Sequence, residues 1–120
     1  MVFMTSKDLN LMLIELFPEI KVLYAEEVTW QEGDETGSHV VFGDVLLPYI
    51  LANAESENMQ CLTKCFQTIE KILSFDDEYA DEVITLSVLE SLSYQTNLKI
   101  DLSQFMGDKT KRIFAELLNT

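Results

Sequence analysis

Met59, Leu62, Phe66, Ile69 and Leu73 follow one another at steps of 3, 4, 3 and 4. That spacing returns each side chain to one face of an α-helix and to no common face of a strand. Cys65 and Ile72 broaden the stripe, while Glu57, Lys64 and Lys71 fall outside it. With 4 Gly and 2 Pro in 120 residues, the chain also lacks the turn punctuation of an all-β protein. The expectation is an all-α fold: one helical domain over residues 1–120, a compact bundle or short stack of about six helices.

The other helices follow from caps and breakers. Thr5 or Ser6 caps a first helix to about Phe17, apolar on nearly every face and so expected to be buried on most sides. Pro18 opens a second helix to about Trp30, with Ile20, Leu23, Tyr24 and Val28 as its stripe. Glu32 to Ser38 is an acidic loop. His39 to Phe42 reads as an extended piece or a helix start, and Gly43-Asp44 places a start near Asp44. That helix runs to about Asn53, and an earlier start would make Pro48 kink it. Ser56 caps the fourth helix. Asp76 or Asp77 caps a fifth to about Ser93, with Tyr79, Val83, Leu86, Leu89 and Leu92 on its apolar side. Asp101 opens a short turn through Phe105, and Asp108 caps the last helix.

Charge narrows function. Lys plus Arg number 8 against 21 acidic residues, a net −13. A 48% hydrophobic content is enough for a core and too much for a disordered acidic tail. An acidic surface excludes the phosphate contacts of a nucleic-acid binder and docking on anionic lipid. It leaves solubility or a basic partner. The acid is also uneven: residues 32–38 carry net −3 and residues 76–82 carry net −5, while 107–120 is +1. The N-terminal run MVFMTSKDLNLMLIELF has no basic region ahead of its apolar part and no small-residue cleavage site after it. No stretch reaches the length of a membrane span. A cytoplasmic protein is expected, with Cys61 and Cys65 as free thiols.

Catalytic chemistry is sparse. His39 is the single histidine and has no nucleophile at a familiar spacing, so it reads as a surface or loop-edge residue. Cys61, Cys65 and one His do not make a zinc spacing. No glycine-rich phosphate loop exists. Asp76-Asp77-Glu78 with Asp81 and Glu82 lacks the central Gly of an EF-hand loop. No catalytic residue, cofactor or metal is assigned, and an enzyme is not expected. The acidic run reads first as a solvated helix N-terminus, with a partner-binding face next.

Five segments taken together, LFPEIK (Leu16–Lys21), VVFGDVLLPYI (Val40–Ile50), FQTIE (Phe66–Glu70), DDEYADEVITLSVLESL (Asp76–Leu92) and FMGDKTKRIFAEL (Phe105–Leu117), resemble a family of small, acidic, all-helical, mostly uncharacterised bacterial proteins. Members of that kind are found as immunity proteins beside polymorphic or contact-dependent toxins. The resemblance implies an antitoxin role without catalytic residues. The function expected is an immunity protein that neutralises a basic toxin domain, a nuclease first among them, whose phosphate-binding cleft attracts acid. The alternative is a small acidic regulatory or scaffold module, able to pair as a homodimer and unrelated to toxins. The partner-binding residues expected are Glu32, Asp34 and Glu35 in the loop and Asp76, Asp77, Glu78, Asp81 and Glu82 at the fifth helix, with Trp30 and Tyr79 as apolar anchors.

Overall fold

The structure, a computed structural model, describes residues 3–119. Met1 and Val2, where the N-terminal run read above begins, lie outside the described residues, as does Thr120. Six helices are present and no strand is found among the described residues. The body measures 34 × 34 × 23 Å. Its short dimension is about two helix diameters, so the helices lie two deep.

Helix α1 (Ser6–Leu16) starts in a capping box: Asp8 N donates to Thr5 Oγ1 at 3.2 Å and Thr5 N to Asp8 Oδ2 at 2.9 Å. Leu9 and Leu13 are buried. Leu11 and Glu15 face solvent, so α1 is less enclosed than its apolar run suggests. Pro18 opens a single 3-10 turn, Pro18–Ile20, and α2 follows over Lys21–Val28. Ile20, Tyr24 and Val28 are buried, whereas Leu23 is exposed. The second helix is therefore shorter at both ends than its stripe predicts.

Helix α3 (38–55) begins at Ser38, earlier than Gly43-Asp44 suggests. An α segment Ser38–Val41 passes into a π turn, Phe42–Leu46, and then an α segment Leu47–Glu55. The π turn is closed by Leu47 N donating to the Phe42 carbonyl. It stands immediately before Pro48, whose ring would meet the preceding turn of a regular helix and whose nitrogen cannot donate. The widened turn absorbs both defects without ending the helix.

Helix α4 (Met59–Leu73) is capped by Asn58, whose Oδ1 accepts from Cys61 N at 3.1 Å, and not by Ser56. Leu62, Cys65, Phe66, Ile69 and Leu73 are buried, and Met59 at the first turn is half exposed. This stripe makes α4 the centre of the body, packed against α3, α5 and α6. Both thiols are free, and burial pushes the Cys65 thiol upward.

Helix α5 (78–93) runs as Glu78–Ile84, a second π turn Thr85–Leu89, and Glu90–Ser93. The two π turns touch, and Gly43 faces Ser87 there. Asp77 is the cap of α5, and Asp76 reverses the chain with φ of 53°, a left-handed conformation that Asp tolerates. A short 3-10 turn, Leu102–Phe105, is opened by Asp101, which accepts from Ser103 N at 3.0 Å. Phe105 stacks on Phe66. Helix α6 (Asp108–Leu118) has Gly107 in the cap position, with Asp108 already inside the helix. Its first N–H groups are satisfied by Glu70 of α4 instead.

Candidate functional site

The two acidic segments are tied to the same helix. Asn10 on α1 is wholly buried and sends its amide nitrogen to the loop carbonyls of Thr36 at 2.7 Å and Asp34 at 3.1 Å. Its Oδ1 accepts from Ser38 Oγ at 2.8 Å. Ser38 N donates to Tyr79 Oη at 3.2 Å, and Tyr79 Oη lies 2.6 Å from Ser6 Oγ. Tyr24 closes the other end by donating to Asp34 Oδ1 at 2.6 Å. Burial, with Asp34 beside it, pushes the Tyr24 hydroxyl well above the usual phenol range, so it stays a donor. A continuous polar chain thus runs from the acidic loop, across α1, to the first turn of α5. A network buried at its centre, with Asn10 and Ser38 both bonded, fixes positions more firmly than exposed contacts do.

The expected partner residues separate into three groups. Asp77 and Tyr79 serve the fold. The Asp77 carboxylate accepts from Met4 N at 3.0 Å and Ala80 N at 2.9 Å, and these bonds hold it below the ordinary carboxylate range. Asp77 is buried and Tyr79 half-buried. Asp34 is exposed but holds Tyr24. A second group faces α6. Asp76 pairs with Lys109 Nζ at 3.0 Å, and Asp76 and Asp81 share a groove with Lys109, Arg112 and Glu116. Asp81 is half-buried and its Oδ1 has no hydrogen-bond partner. Burial, then the neighbouring Asp76, raise its carboxyl above the usual range. The third group is free of such duties: Glu32, Glu35, Glu78 and Glu82 are exposed. Glu78 and Glu82 border a second groove with Asp76, Asp81, Thr85 and Leu86. Leu86 was expected in the core and is 50% exposed. It gives the acidic groove an apolar floor.

Trp30 stands apart from both. It is 75% exposed just beyond α2. Val22, Ala25, Glu26 and Thr29 line a shallow groove with it. The spacing Val22, Glu26, Trp30 is one helical face, opposite the buried Ile20, Tyr24 and Val28. The sequence marks the stripe of Ile20, Leu23, Tyr24 and Val28 more strongly than the spacing of Val22 and Trp30. His39 lies half-buried, its Nδ1 2.9 Å from Ser87 Oγ and its ring edge-on to Tyr79. Ser87 comes from the π turn of α5, and no sequence spacing signals that meeting.

Among the described residues, no group of three or more His, Cys, Asp or Glu is placed to hold a metal ion, and no helix is long and apolar enough to cross a membrane. The arrangement suits binding through charge and a few apolar contacts. No curated protein and no solved structure matches the chain. A family model described as "Domain of unknown function (DUF7674)" matches residues 10–119, from the buried Asn10 to the end of α6, and the chain belongs to that family.

Proposed function

We propose that this protein is a cytoplasmic immunity protein. It binds and neutralises a basic toxin domain, a nuclease first among them, of a contact-dependent or polymorphic toxin system. The observation that carries this reading is the unbalanced acidic groove at the start of α5. Glu78 and Glu82 are exposed beside Leu86, on a chain of net −13. Only two ion pairs occur among the described residues, Lys99–Glu55 and Lys109–Asp76. Most of the acid is therefore not spent on internal pairing. Such a field steers a basic partner and raises its association rate above the neutral range. The resemblance to small acidic helical immunity proteins supports the toxin as that partner. The second reading, a homodimeric scaffold, gains from the apolar face of Val22 and Trp30 but has the like charge of two copies against it.

The test is co-expression with a toxin domain, should one be encoded beside this chain. Co-purification and rescue of growth are expected, and Glu78→Lys with Glu82→Lys should slow association at low salt by about tenfold or more. A toxin domain that neither co-purifies nor is neutralised overturns the reading.

A further inference from the structure

We infer that the outer face of α2 is a docking groove for a basic amphipathic helix of a partner protein, which lays apolar side chains along Val22 and sets an arginine or lysine over the Trp30 indole beside Glu26. The inference rests on the proposed basic protein partner and deepens it. Val22 and Trp30 are 70% and 75% exposed, so none of the described residues covers this face. Large apolar side chains grouped on one exposed helix face mark an interaction surface. From Val22 to the end of α2 at Val28 is about 9 Å along the helix, and Trp30 extends the same groove just beyond it, enough for about two turns of a partner helix.

Charge selects the occupant. Lys21 is the last cation before Lys64, so the whole tract from Val22 to Thr63 holds no Lys or Arg. It does hold Glu26, Glu27, Glu32, Asp34 and Glu35 close to the groove in sequence. An anionic or neutral partner leaves Glu26 unpaired at the contact. A second copy of this chain brings Glu26 towards Glu26 in a protein already at net −13. A guanidinium or ammonium over Trp30 gains from the indole face and from the Glu26 carboxylate together.

Trp30 is the only tryptophan, so its fluorescence reports this groove and nothing else. The intact protein is titrated with an amidated peptide of about 15 residues, Leu and Arg placed at helical period, a length at which a helix is marginal alone and ordered by a groove. Its Arg→Gln counterpart is the control. A saturable blue shift of Trp30 emission is expected with the Arg peptide. Glu26→Gln should weaken it by about fivefold and Val22→Asp by about tenfold or more, with circular dichroism unchanged because both residues are exposed. Binding seen by calorimetry without a Trp30 shift overturns the inference, as does an equal shift with the Gln peptide. A shift that follows protein concentration without peptide assigns the face to a second copy and also overturns it. If the toxin domain is captured while Trp30 emission stays still, only the docking site falls. If the peptide docks and the toxin does not, the toxin reading falls alone.

Discussion

Glu70 of α4 caps α6 from another helix: its Oε1 accepts from Thr110 N at 2.9 Å and from Thr110 Oγ1 at 2.7 Å, and its Oε2 from Lys109 N at 3.1 Å. The carboxylate satisfies two of the N–H groups that a helix start leaves open and sits at the positive end of the dipole. It joins the central helix to the last one where no local side chain does the capping.

Glu70→Ala should therefore cost about 1–2 kcal/mol, the range of a lost cap with charge assistance, read as a lower urea midpoint with unchanged slope. Burial alone would raise the Glu70 carboxyl, but the bonds from Thr110 and Lys109 outweigh it and hold it below the ordinary value. The folded value is thus the lower of the two. The stabilisation is complete above the unfolded-state value and fades as pH falls through the folded one. A wild-type and Glu70→Gln pair should show stability curves that converge on acidification. Parallel curves would remove Glu70 from the acid sensitivity of the fold.

Gly107 makes that approach possible. A Cβ there would lie 2.5 Å from Glu70 Cδ, while the Gly107 backbone, φ −77°, suits any residue. Gly107→Ala should destabilise by about 1–3 kcal/mol through overpacking alone. In a Glu70→Ala background the same change should cost far less. An additive double-mutant cycle would separate the two sites.

Gly43 is the opposite case. Its Cβ would stand 3.7 Å from the Ser87 carbonyl oxygen, ordinary contact distance. Gly43→Ala should be neutral or raise stability by up to about 1 kcal/mol, since Ala favours helix over Gly. Gly43→Leu should lower it, because the two π turns touch at this point. Thermal midpoints of the two variants decide the matter, and a falling midpoint for Ala would mean that the turns approach more closely.

Asn10 is a polar residue within the apolar run of the first helix, yet it is wholly buried. Asn10→Leu leaves the Thr36 and Asp34 carbonyls without their side-chain donor, and Ser38 Oγ with only the Ser6 carbonyl as acceptor, at 3.1 Å. A cost of about 1–3 kcal/mol is expected, with faster hydrogen exchange over residues 32–38 than elsewhere. Uniform exchange would place the loop's order in other contacts.

What was legible in the chain follows the range of the forces. The α4 stripe, the capping role of Asp77 and the turn at Asp101 depend on neighbours within four residues, and periodicity and cap chemistry expose them. The Glu70 cap joins residues far apart in the chain, so Asp108 was the nearest acid and the wrong one. The π turn before Pro48 was half legible, since a proline inside a helix demands a local adjustment. The π turn at Thr85–Leu89 has no such marker. The acidic segments were found as segments, but division of labour within them required the partners of each carboxylate: Met4 and Ala80 on Asp77, Lys109 on Asp76, Tyr24 on Asp34. For Trp30 the residue type alone does not decide, because indole is at home both in cores and at interfaces.

Asp81 separates stability from the proposed binding most sharply. Its Oδ1 is buried without a partner, the like charges of Asp76 and Asp77 bear on it, Glu78 and Glu82 line a groove with it, and Lys109, Arg112 and Glu116 share a groove with it from α6. Burial and the like charges put its folded carboxyl above the unfolded value. The sign is opposite to that of Glu70: the ionised form costs stability at neutral pH, and the cost begins to fall as pH drops through the folded value and is gone below the unfolded one. Asp81→Asn should raise stability at pH 7 by up to about 1 kcal/mol, the amide nitrogen adding a donor and the charge being lost. It should leave stability unchanged once the wild-type carboxyl is protonated. The same variant should slow association with a basic partner at low salt, because one negative charge leaves the groove. Charge retained against stability is what a binding surface requires and a purely structural cap does not. Chemical denaturation at pH 7 and at a pH below the unfolded-state carboxyl value, beside stopped-flow association, reads both effects. A variant that is less stable at pH 7 would mean that Lys109 and Arg112 hold Asp81 more strongly than burial opposes it.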